Sequence, residues 1–140
     1  MSDRQSEFEY LQIPENEKNN VDELVSLLKK SAVELKYTIK TKVVGGVVTK
    51  KWPRKDIDIV VDIQNKNRYQ KNSERVVASF KILTEITDRA LRENSRFKID
   101  HSINPHPDPQ LGDPEILIHL GTVIIKSMDG VPIELLNNPI

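Results

Sequence analysis

The chain has 140 residues, and its 21 basic side chains balance its 21 acidic ones. That length suits one domain with a single core, and that balance excludes a global field drawing the protein to nucleic acid or a membrane surface. The absence of cysteine excludes a disulfide framework, a thiolate zinc site and a cysteine nucleophile.

No apolar run approaches the roughly 20 residues that span a bilayer. The polar start Met1-Ser2-Asp3-Arg4 is unlike a signal peptide, so a cytoplasmic protein without a membrane partner is expected. Residues 1–19 read as a polar tail and 20–140 as the domain. Asn20, with Glu23 three residues on, is expected to cap a helix over about 21–36, whose buried stripe is Val21, Leu24, Val25, Leu28, Ala32 and Leu35. Tyr37 to Val44 then reads as strand, ending at Gly45-Gly46. Residues 47–52 suit one or two helical turns that Pro53 stops. Asp56 to Ile63 is β-branched and becomes continuously apolar, the pattern of a central strand.

The polar stretch 64–72 reads as loop. From Ser73 to about Asn94 a second helix is expected, with Val76, Val77, Phe80, Leu83, Ile86, Ala90 and Leu91 as its stripe. Arg96–Ile103 alternates as a strand around Phe97 and Ile99. The proline-rich segment 104–114 reads as surface loop. Two more strands, Ile116–Lys126 and Val131–Leu136, flank a hairpin turn at Asp129-Gly130. The expected class is α+β: a mixed sheet of about five strands with helices packed on it.

One constellation carries chemistry. Residues two apart on a strand project to the same face, about 7 Å apart, so Asp56 and Asp58 aim both carboxylates one way while Ile57 and Ile59 enter the core. Two such carboxylates repel unless a cation lies between them, and Mg²⁺ favours one or two carboxylates plus substrate phosphates. Gly45 and Gly46 let a backbone approach a phosphate. Asp-x-Asp alone also occurs at ordinary exposed strand starts. Asp62 reads as a strand-end cap or the partner of a surface lysine. Trp52 reads as a packing residue, and Lys50, Lys51, Arg54 and Lys55 as a basic cluster that a solvated loop explains almost as well as a phosphate does. His101, His106 and His119 lack metal-ligand spacing.

The run VVGGVVTKKWPRKDIDIVVDI, residues 43–63, resembles the signature of the nucleotidyltransferase superfamily, the DNA polymerase beta-like fold. Gly-Gly, and Arg54 shortly before the first acid, are similar to its minimal and abortive-infection-type members. The resemblance implies a third carboxylate on a later strand. The hairpin VIIKSMDGVPIELL, residues 123–136, points to Glu134, with Asp100 as the rival; the family more often has aspartate there. It further implies two Mg²⁺ ions (or Mn²⁺) on Asp56, Asp58 and the third acid, and an NTP held by Gly45, Gly46, Thr49 and Arg54. A nucleoside monophosphate would then pass to a hydroxyl on protein, RNA or a small molecule. Larger members add helices that grip base and acceptor, so a homodimer or helical partner subunit is expected to complete the wall. The alternative is a catalytically silent module of the same fold, acting in binding or regulation as in a toxin–antitoxin-like pair.

Overall fold

A computed structural model describes residues 13–45, 55–64, 72–107 and 117–139. In chain order these form α1 (Glu15–Glu34), β1 (Thr38–Val44), β2 (Ile57–Gln64), α2 (Asn72–Leu91), β3 (Phe97–Ile103), β4 (His106–Pro107), β5 (Leu117–His119), β6 (Thr122–Ser127) and β7 (Ile133–Pro139). Five strands make one mixed sheet in the order β1-β2-β7-β6-β3, and β4 pairs β5 separately. β2 and β7 run parallel, while the other pairs of the large sheet are antiparallel. The architecture is the expected α+β class.

Alternation along the strands decides which face is dry. Ile57, Ile59, Val61 and Ile63 on β2 are completely buried, as are Ile133 and Leu135 on β7, with Val123 and Ile125 on β6 nearly so. Cross-strand register places these residues on one face, where they pack with Leu24 and Leu28 of α1 and Phe80, Leu83 and Ile86 of α2. The intervening residues, Asp58, Val60 and Asp62 on β2 and Glu134 and Leu136 on β7, are half-buried on the opposite face. The β2–β7 pair is central, so a carboxylate on it is flanked by strands rather than by open solvent.

Several local expectations need correction. The first helix starts at Glu15, with Pro14 at its N-cap and no side-chain cap. Pro14 is pre-organised for a helix start, and Ile13 before it belongs to the core. The first helix therefore starts inside the stretch read as a tail. Asn20 is no cap but a buried residue within α1, its amide donating to Asp129 Oδ1 at 3.1 Å. The expected strand 116–126 is broken between β5 and β6 at Leu120-Gly121. Gly121 has φ +106, and a Cβ there would lie 2.3 Å from the Phe80 ring, so the chain can turn over α2 only with glycine. A two-residue strand, β4, interrupts the loop read across 104–114. β7 runs on past Leu136 because Asn137 is satisfied there. Its amide accepts from Ser79 Oγ at 3.0 Å and donates to the carbonyls of Val76 at 3.2 Å and Leu120 at 2.7 Å. The expected turn of helix over 47–52 lies outside the described residues.

Candidate metal centre

Three side chains meet on the half-open face. β2 and β7 pair Asp58 with Glu134, and β1 pairs Val44 with the same Asp58. Asp56 stands immediately before β2, two residues from Asp58, so its side chain projects to the same side. Oxygen atoms of Asp56, Asp58 and Glu134 all lie within 4.8 Å of one another, and each residue is half-buried. Of the two acids weighed for the third position, Glu134 joins this cluster. Asp100 faces elsewhere, with His101 Nδ1 at 2.8 Å and Lys126 Nζ at 3.4 Å.

The electrostatics of the trio are unbalanced. Glu134 is pushed up from its ordinary value to about 7, first by the hydrogen bond it shares with Asp58, then by burial and by the charges of Asp56 and Asp58. Two neighbouring carboxylates cannot both hold a negative charge at low cost, so Glu134 keeps its proton to higher pH. Asp58 Oδ1 is buried and has no hydrogen-bond partner among the described residues, an arrangement that costs about 1–3 kcal/mol when nothing compensates it. Gly45 has φ +80, and a Cβ there would come within 2.6 Å of Asp58 Oδ2. The glycine at the end of β1 lets the backbone pass close against that oxygen.

These observations are the test of fit for a hard divalent cation. Mg²⁺ takes oxygen ligands at 2.0–2.1 Å and keeps several waters, and the trio offers three carboxylates, one with a lone oxygen, under mutual repulsion that a cation would relieve. Asp56, Asp58 and Glu134 fit such an ion.

The other proposed site residues fare differently. Gly45 adjoins the trio, whereas Gly46, Thr49 and Arg54 lie outside the described residues, as do Lys50, Lys51 and Trp52. Asp62 accepts from the Asn138 amide on the neighbouring strand, which replaces the strand-end cap or lysine partner expected for it. His106 and His119 stack with centroids 4.9 Å apart and planes 8° apart. Burial, then the charge of His106, holds His119 below the usual imidazole range.

A second polar cluster, invisible in the sequence, anchors the turn that feeds β7. Buried Glu17 of α1 accepts the Val131 N–H at 3.0 Å, and burial raises its carboxyl above the ordinary value. Asn16 donates to the Asp129 carbonyl at 2.9 Å. Arg96 donates to Asn20 Oδ1 at 2.6 Å and to Glu23 at 2.5 Å. One α-helical face thus holds the 128–132 turn, two residues short of Glu134. Helical spacing of Asn16, Glu17, Asn20 and Glu23 was the available signal, though polar residues at that spacing ordinarily read as a solvated face. No protein-family model matches this chain, and no curated protein matches it.

Proposed function

We propose that the protein is a Mg²⁺-dependent nucleotidyltransferase that moves a nucleoside monophosphate from an NTP to an acceptor hydroxyl. The observation that carries the reading is the meeting of Asp56, Asp58 and Glu134 oxygens within 4.8 Å beside a glycine turn that passes close against Asp58. The sequence resemblance of residues 43–63 supports it independently, because it designates the same two aspartates and the same glycine.

In this reading Asp56, Asp58 and Glu134 would hold the metal. Bound there, Mg²⁺ would offset triphosphate charge and act as a Lewis acid on phosphoryl oxygens. The chain's own part is positioning. β2 and β7 set two ligands in register on a packed sheet, and Asp56 follows from β2's alternation. Rigid placement of charge accounts for most of the catalysis in phosphoryl transfers. A cation held there would disfavour the protonated form of Glu134, so binding and loss of that carboxyl's proton would be coupled.

The test is incubation of the purified chain with each α-labelled NTP, Mg²⁺ and a nucleotide-depleted cell extract as acceptor source. Wild type should transfer label and release pyrophosphate. Asp58→Asn and Glu134→Gln should do neither while keeping the wild-type circular dichroism spectrum. Calorimetric titration with Mg²⁺ and a non-hydrolysable NTP is the companion measurement. A wild type that binds neither ion nor nucleotide overturns the reading.

A further inference from the structure

Resting on that reading of the acid trio, we propose that His101, oriented by Asp100, is the base that takes the proton of the acceptor hydroxyl. Three observations place it there. The first is a break in strand register. Along β3, Ile99 pairs with Ile125, but the next pair is His101 with Ile124, leaving Asp100 as the extra residue. Strict alternation from Ile99 would turn His101 toward the helices. The bulge instead brings it opposite Ile124, on the face that carries the acids, which is how bulges re-aim side chains beside active sites.

The second observation is the row this creates. Register runs Asp58–Glu134 across β2 and β7, Glu134–Ile124 across β7 and β6, and Ile124–His101 across β6 and β3. Only the Ile124 strand separates His101 from Glu134, so their backbones are about 9.6 Å apart, two strand spacings. The buried Ile124 side chain stands between them on that face, so an acceptor hydroxyl would approach over it. His101 is near enough for its charge to favour ionised Glu134, against the other influences on that carboxyl.

The third is orientation. His101 Nδ1–H donates to Asp100 Oδ2 at 2.8 Å, and the other oxygen of Asp100 lies 3.4 Å from Lys126 Nζ. With Nδ1–H committed to a carboxylate, the neutral ring has its lone pair on Nε2, the tautomer a base requires. The His101 side chain is more than half exposed, so substrate can reach it. The charged groups facing it are Asp100 on its own strand, Lys126 on β6 and Glu134 on β7.

The step balances. The acceptor O–H bond breaks and its proton goes to His101 Nε2. The freed oxygen lone pair forms the bond to the α-phosphorus, and the bond from that phosphorus to the bridging oxygen breaks. Its electron pair leaves on pyrophosphate.

The experiment compares wild type, His101→Gln, His101→Ala and Asp100→Asn in the labelled-NTP assay above, alongside Mg²⁺ calorimetry and ¹⁵N spectra of the histidines without nucleotide. His101→Gln should transfer about 10²-fold or more slowly, the usual share of a positioned base, with Mg²⁺ affinity within twofold of wild type. Added imidazole should restore part of the His101→Ala rate and none of the His101→Gln deficit. In wild type the neutral His101 ring should carry its proton on Nδ1, and Asp100→Asn should lose that preference. A proton on Nε2, or transfer by His101→Gln within threefold of wild type, overturns this assignment alone. A wild type that transfers nothing to any acceptor withdraws the proposed function and this assignment together.

Discussion

At the scale of single residues, Glu134 sets the pH behaviour of the metal-free protein. Its folded-state value of about 7 stands above the ordinary 4.5, so between those limits the folded chain keeps a proton that the unfolded chain has released. The stability this contributes is complete below about pH 4.5 and is lost as pH rises through about 7. Without divalent ions, the urea midpoint of wild type relative to Glu134→Gln should therefore fall between pH 5 and pH 8. Under the proposed function Mg²⁺ would compete with the same proton, so its affinity for wild type should rise over that range and binding near pH 6 should release protons to buffer. A calorimetric comparison in buffers of different ionisation enthalpy checks this; proton release unchanged in Glu134→Gln would contradict it.

Gly45 is the other residue whose substitution reads directly on the site. Alanine there takes on a strained positive φ and a Cβ 2.6 Å from Asp58 Oδ2. Gly45→Ala should cost about 1–3 kcal/mol in chemical denaturation and weaken Mg²⁺ binding by about tenfold or more, because Asp58 must swing away. Lys36 presents the reverse case. It sits at φ +66 just past α1, with Tyr37 N–H on the Ala32 carbonyl at 2.8 Å and Lys36 N–H on the Val33 carbonyl at 3.0 Å. That is the helix-ending pattern that glycine usually occupies. Lys36→Gly should stabilise the chain by roughly 0.5–1 kcal/mol, the left-handed penalty less glycine's extra entropy, as read from the shift in urea midpoint.

At the scale of elements, α1 does more than cover the core. Its apolar residues pack on the sheet, while Asn16, Glu17 and Asn20 hold the turn between β6 and β7. Glu17→Ala leaves the Val131 N–H without its acceptor and opens the space that Gly130 was close enough to share. An unsatisfied buried donor costs about 1–3 kcal/mol. The same variant should weaken Mg²⁺ binding modestly, because the turn leads directly into Glu134. Thermal melts and Mg²⁺ titration of one sample read both effects. Loss of stability with Mg²⁺ affinity unchanged would show that β7 holds its register without α1.

For the whole molecule, the sheet divides labour between its faces. One face is sealed by both helices over completely buried Ile57, Ile59, Ile63, Ile133 and Leu135. The other presents the acids, in register across β2 and β7. Asp58 and Glu134 stand on β2 and β7, which are both interior strands of the sheet. Native-state hydrogen exchange should find β2 and β7 amides opening only with global unfolding, and the ends of edge strands β1 and β3 exchanging earlier.

No helix of the described residues is long and apolar enough to cross a membrane. Much of this organisation was legible in the sequence because it depends on local periodicity. The alternation of Ile57, Ile59, Val61 and Ile63 with Asp58, Val60 and Asp62 determines a strand with one dry face, and the spacing of Leu24, Leu28, Leu83 and Ile86 determines two helices that cover it. The glycine bend and Asp-x-Asp pair were readable for the same reason, since two-residue spacing is a property of the strand itself. What only the tertiary structure decided was register between distant segments. Glu134 rather than Asp100 meets Asp58 because β7 lies parallel beside β2, while β3 stands at the far edge. The bulge at Asp100, the break at Gly121 and the grip of Glu17 on Val131 likewise depend on which strand or helix lies alongside. Such choices are made by packing and hydrogen bonding between segments distant in the chain, and no local pattern encodes them.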